Sequence, residues 1–110
     1  CRVLDTREGT GSPVAANGAL GFDAAGTCGV PADARALAVN LTAVAPDADG
    51  VLRLFGAGSV TPVAQVLAFR EGRTRASAAV AVPGALGRLT VRNGSTRPVH
   101  VVLDVSGYFR

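Results

Sequence analysis

Residues 34–44, ARALAVNLTAV, decide the fold class. Leu37, Val39, Leu41 and Ala43 fall at every second position, with Ala38, Asn40 and Thr42 between them. A period of two places the two sets on opposite faces of an extended chain, which is the pattern of a half-buried strand. Toward the C-terminus the turn APDADG (45–50) leads into VLRLF at 51–55, and this order of strand, Asp/Gly turn and strand predicts a two-stranded hairpin. VAQVLAF at 63–69, ASAAVAV at 76–82, GRLTVRN at 87–93 and PVHVVLDVSGYF at 98–109 follow as further strands. In the 87–93 segment Leu89 and Val91 alternate inward against Arg88, Thr90 and Arg92, and RNGSTRP forms the turn before the last strand. ASAAVAV has the alanine content of a helix, but its valines and its neighbours Thr74 and Pro83 favour a strand.

Toward the N-terminus, residues 8–34 are Gly-rich and read as loop with a short strand near Ala19–Phe22, and RVLDTR at 2–7 is the first strand. Short strands separated by Gly, Pro and Asp turns define an all-β domain. The expected form is a small antiparallel β-sandwich, jelly-roll-like, with one disulfide; a closed β-barrel or a trefoil-like fold is the alternative.

At 110 residues the chain fits one domain, and no linker divides it. Its hydrophobic content of 48% and mean hydropathy of +0.33 are those of a chain with a core, not of a disordered one. With four Phe, one Tyr and neither Trp nor Met, that core is built from Val, Leu and Ala. Cys1 and Cys28 are an even pair without other metal-ligand spacing, so they read as one disulfide in an oxidising compartment; two buried free thiols are the alternative. No apolar run approaches the roughly 20 residues of a membrane span. The chain opens without a signal-like segment and reads as a mature piece of a longer secreted or cell-surface protein.

The net charge of +3 comes from eleven Arg and no Lys, a bias that GC-rich bacterial coding produces by itself. Arg70, Arg73 and Arg75 gather in REGRTR, but without a basic face interleaved with aromatics they read as a solvated loop, not as a nucleic-acid surface. Catalysis finds no support in the residue pattern. The one histidine, His100, lies in a strand, no serine sits in a GxSxG elbow, and neither HExxH nor a phosphate loop is present. Most carboxylates, among them Asp33, Asp47, Asp49 and Glu71, occupy turns, and APDADG lacks the spaced ligands and closing Glu of a calcium loop. Asp5 and Asp104 interrupt apolar strands, where a carboxylate needs a cation nearby; Arg2 or Arg7 is the expected partner. No catalytic residue, metal site or cofactor is expected. Asn40-Leu41-Thr42 matches a glycosylation sequon, a chance match within a strand.

The segments CRVLDTR, CGVPADARALAVNLTAV and HVVLDVSGYF resemble a recurrent module of actinobacterial and myxobacterial extracellular proteins across essentially the whole chain. The matching positions are Cys1, Arg2, Asp5, Thr6, Arg7, Cys28, Gly29, Pro31, Asn40, Thr42, Asp104, Gly107, Tyr108 and Phe109. The chain departs from the module at Gln65-Val66-Leu67-Ala68-Phe69 and at Ala76-Ser77, where Asn residues are usual. The resemblance implies a non-catalytic accessory role beside covalently linked neighbouring domains; Arg2, Asp5, Arg7, Asn40, Asp104 and Tyr108 are expected to be structural.

Two functions follow as expectations. One is carbohydrate binding that targets a secreted enzyme or surface protein to a polysaccharide, an acidic polymer suiting the arginine forks. Its expected contacts are Arg53, Gln65, Arg70, Arg73 and Arg75, which fall on outward positions or turns. The other is a structural or adhesive spacer without a small ligand. Neither nucleic acid nor membrane insertion is expected.

Overall fold

A computed structural model describes residues 1–8, 11–26, 28–56, 67–84 and 87–109. Eight strands are present: β1 (Arg2–Asp5), β2 (Ala19–Asp23), β3 (Ala36–Val44), β4 (Gly50–Gly56), β5 (Leu67–Phe69), β6 (Arg75–Ala81), β7 (Arg88–Gly94) and β8 (His100–Phe109). They form two antiparallel four-stranded sheets, sheet 1 in the order β1-β8-β3-β6 and sheet 2 in the order β2-β7-β4-β5. The pairs β1·β8, β2·β7, β3·β6 and β4·β5 are those of one long hairpin with its tip at β4–β5. Rolling that hairpin up adds β3·β8 and β4·β7, which is jelly-roll winding. The two sheets face each other as a sandwich and do not close into a barrel.

The expected hairpin between β3 and β4 does not form. β3 lies in sheet 1 and β4 in sheet 2, so the 45–49 turn carries the chain across the core. Sheets stack only about 10 Å apart, a gap that a short turn spans as readily as it closes a hairpin. Val63 to Val66 of the expected 63–69 strand lie outside the described residues, and its last three residues form β5.

Strand parity builds the core. Leu37, Val39, Leu41 and Ala43 of β3 are buried, and they meet Leu52 and Leu54 of β4, Leu89 and Val91 of β7, and Val101, Leu103 and Val105 of β8. Gly50 begins β4 where no larger residue fits: a Cβ there would stand 2.5 Å from Cβ of Ser95 and 2.9 Å from Phe69 Cζ.

The Gly-rich N-terminal segment is fastened at three points. Cys1 and Cys28 form a disulfide with their Cα atoms 5.8 Å apart. Val14 and Val99 exchange backbone hydrogen bonds of 2.9 and 3.0 Å. Asn93, fully buried on the inner side of β7, donates from Nδ2 to the carbonyls of Val14, Ala15 and Arg97 and accepts at Oδ1 from the Ser95 hydroxyl. One amide thus adds a second hydrogen bond to carbonyls of two loops and ties them to β7.

Candidate functional site

The carboxylates of sheet 1 are already engaged. Asp5, whose side chain is only 4% exposed, accepts two hydrogen bonds from the Arg7 guanidinium (2.9 and 2.8 Å), one from the Arg7 backbone N–H (3.0 Å) and one from Arg2 (3.3 Å). Arg2 also reaches Asp104 at 3.1 Å, linking β1 to β8. The Arg7 hydrogen bonds hold the Asp5 carboxyl well below the usual carboxylate range. Arg2, Asp5, Arg7 and Asp104 therefore form a closed ion-pair group at the edge of the sheet. Asn40 stands on the outer side of β3 between Ala78 and Asp104, and Tyr108 faces Leu37 in the ladder with its side chain 45% exposed.

His100 is a packing residue. Its Nδ1 lies 3.0 Å from Oγ1 of Thr6, a hydroxyl that is itself buried and accepts a 2.8 Å hydrogen bond from the Val101 N–H. Among the described residues no three His, Cys, Asp or Glu side chains gather as metal ligands do, and no helix is long and apolar enough to cross a membrane.

Among the described residues the surface opens into clefts at two places of interest. The first, of about 530 Å³, lies between β1, β2 and the 11–15 segment and is lined by Leu4, Pro13, Val14, Leu20 and Phe22. Of its polar members, Asp5 and Thr6 are committed to the contacts just described, and the exposed Ser12 stands at its rim. The second, of about 500 Å³, lies where the 45–49 and 70–74 turns meet beside β4 and β5, and is lined by Asp49, Gly50, Val51, Ala68, Phe69, Arg70 and Arg75. The two turns are tied together. Asp49 Oδ1 accepts from the Glu71 N–H at 2.8 Å, the Pro46 carbonyl from the Gly72 N–H at 2.7 Å, and Thr74 Oγ1 from the Ala45 N–H at 2.9 Å. The guanidiniums of Arg70 and Arg75 have no hydrogen-bond or ion-pair partner among the described residues. The site thus joins free guanidinium donors to a carboxylate on a braced frame.

The five expected contacts separate in space. Arg70 and Arg75 line this second cleft, and Arg73 is exposed on the turn beside it. Arg53 does not line it; it stands on the outer face of sheet 2, directly across from Arg92. Gln65 lies outside the described residues. Asp49 and Arg92 were not among the expected contacts. The outward position of Arg92 is visible in the alternation of 87–93, but its neighbour comes from a distant strand, which no local pattern reveals.

No family model, curated protein or solved structure matches the chain.

Proposed function

We propose that the domain is a non-catalytic carbohydrate-binding module of a secreted or cell-surface bacterial protein, related to the recurrent extracellular module that its sequence resembles. The observation that carries this reading is the cleft of about 500 Å³ lined by Arg70, Arg75 and Asp49. Its volume is in the range of small-molecule sites, and its polar groups are donors and an acceptor of the kind that sugar hydroxyls and carboxylates satisfy. The committed state of Asp5, Asp104 and His100 supports the non-catalytic part, because an acid–base pair needs groups free to exchange protons with a substrate. The disulfide supports an oxidising compartment. The cleft is open and lacks a Trp platform, so binding is weak, micromolar or poorer, on the order of −8 kcal/mol or less favourable.

Affinity electrophoresis through gels containing neutral or acidic polysaccharides tests the reading. Retention that falls in Arg70→Ala and Arg75→Ala, with folding intact, is the expected result. Passage through every gel without retention contradicts it and leaves the spacer role.

A further inference from the structure

The cleft beside β4 and β5 draws its charged side chains from both sheets. In β6 the odd positions face the core, Ala79 packing against it and Ala81 buried within it, while Ala76, Ala78 and Val80 are exposed. Arg75 has the inward parity but opens the strand beyond the end of the core, so it is exposed and projects from sheet 1 toward the rim of sheet 2. Arg70 comes from the other side. It leaves β5 after the buried Phe69, with the outward parity of the exposed Ala68. Both arginines line the one cleft, and neither guanidinium has a hydrogen-bond or ion-pair partner among the described residues. Asp49 is the carboxylate between them in the lining. Its Oδ1 is fixed by the Glu71 N–H at 2.8 Å, and among the described residues its Oδ2 accepts no hydrogen bond. Val51 and Ala68, opposite each other in the β4·β5 register, add apolar surface.

Resting on the carbohydrate reading above, we propose that this cleft binds a uronic-acid residue, its carboxylate held by Arg70 and Arg75 and one of its hydroxyls donating to Asp49 Oδ2. Two guanidiniums against one carboxylate leave the cleft one positive charge in excess, which a single ligand carboxylate neutralises. The flat fork of a guanidinium meets a carboxylate through two parallel N–H···O bonds. Asp49 adds a demand that charge alone does not make. An ionised carboxylate only accepts hydrogen bonds, so a ligand that brings its own anion beside Asp49 must also bring a hydroxyl donor. A bare polyanion has no such donor and meets repulsion there. A neutral sugar supplies the hydroxyl and leaves both guanidiniums without a counter-charge. A uronate satisfies all three groups, and the C–H face of its ring rests on Val51 and Ala68. The hydrogen bonds that tie the 45–49 turn to the 70–74 turn hold Asp49 and Arg70 in place before the ligand arrives.

Dissociation constants for polygalacturonate, polyacrylate, dextran sulfate and neutral dextran, measured at about 0.15 M salt to screen loose attraction, test the proposal in wild type, Arg70→Gln, Arg75→Gln, Asp49→Asn and Arg35→Gln. Polyacrylate carries carboxylates without hydroxyls, and dextran sulfate carries sulfate esters in place of hydroxyls. Wild type is expected to hold polygalacturonate about tenfold more tightly than the other three, and Arg70→Gln and Arg75→Gln each to weaken that binding about tenfold. Asp49→Asn separates the proposal from attraction by net charge. It keeps an oxygen for the Glu71 N–H, puts an amide N–H where the ligand hydroxyl needs an acceptor, and makes the protein more positive. The expected result is about tenfold weaker binding, whereas net charge alone gives tighter binding. Arg35 is exposed and precedes β3, at the end of that strand away from the 45–49 turn, so Arg35→Gln removes the same charge outside the cleft and is expected to bind as wild type does. Unchanged binding in Arg70→Gln and Arg75→Gln, tighter binding in Asp49→Asn, or an equal loss in Arg35→Gln overturns the proposal, and so does polyacrylate or dextran sulfate held as tightly as polygalacturonate. Neutral dextran held as tightly, with loss in Arg70→Gln and Arg75→Gln, overturns the uronate and leaves the carbohydrate reading in place; no binding to polygalacturonate or dextran removes both.

Discussion

The arginines of the two sheets are treated differently. On sheet 1, Arg2 and Arg7 meet Asp5 and Asp104 on the same or the adjoining strand, and every charge in the group has a counter-charge within 3.3 Å. On sheet 2 Arg88 is matched by Asp23 at 3.1 Å, and Arg92 stands opposite Arg53 in the β4·β7 register. Both groups lie on outer faces beside a similar core, so neither burial nor strand propensity separates them. Supply of carboxylates does. An arginine matched by a carboxylate across the ladder holds two strands together.

Several perturbations bear on this contrast. Reducing the Cys1–Cys28 bond releases the N-terminal segment that carries Arg2, Asp5 and Arg7, and a loss of about 3 to 4 kcal/mol is expected from the chain-entropy model. Urea melts with and without reductant measure it; a loss near zero shows that the matched face does not depend on its tether.

Asn93→Ala comes next. It removes one hydrogen bond from each of the carbonyls of Val14, Ala15 and Arg97 and one acceptor of the Ser95 hydroxyl, and it empties a buried side-chain site, at a cost of about 2 to 3 kcal/mol. Because the site is under the sheet and not on it, polyanion binding by the molecules that remain folded is expected to be unchanged.

Asp5→Asn has a smaller effect with a pH signature. The Asp5 carboxyl titrates below its ordinary value of about 3.9, so its ion pairs contribute their full stability above that value and lose it as pH falls through the native-state pKa. The variant is expected to have a lower urea midpoint at pH 7 and a flatter decline below about pH 4. Parallel acid limbs in the variant and wild type contradict the matched arrangement. The smallest change is expected for Arg92→Glu, a gain of about 0.5 kcal/mol from replacing a like-charged cross-strand pair by an opposite one.

Alternation made most strands legible in the sequence. Leu37, Val39, Leu41 and Ala43 are buried as their spacing requires, and the same parity puts Leu89 and Val91 inside. Extending that parity by one step places Asn93 inside as well, but an Asn beside Gly94 and Ser95 also suits a turn, and composition alone does not reveal the carbonyls of Val14 and Ala15 waiting for it. The division into sheets was hidden for a related reason. APDADG has the residues that any sharp reversal needs, whether the next strand pairs beside the last or crosses the core. What was least legible is the Arg53–Arg92 rung, since it exists only through the β4·β7 register. The arginines of the 70–75 segment were visible as neighbours in sequence, and the cleft that joins Arg70 and Arg75 to Asp49 follows from two turns docking.

Arg2→Gln and Arg75→Gln remove the same charge from the ion-pair group of β1 and from the cleft beside β4 and β5, and comparing them tests the account most directly. The measurement is the pair of urea midpoint and dissociation constant on immobilised polygalacturonate for each variant. The account predicts that Arg2→Gln lowers the midpoint and leaves binding intact, whereas Arg75→Gln leaves the midpoint and weakens binding about tenfold. Equal losses of binding in the two variants, or the reverse assignment of the effects, would contradict it.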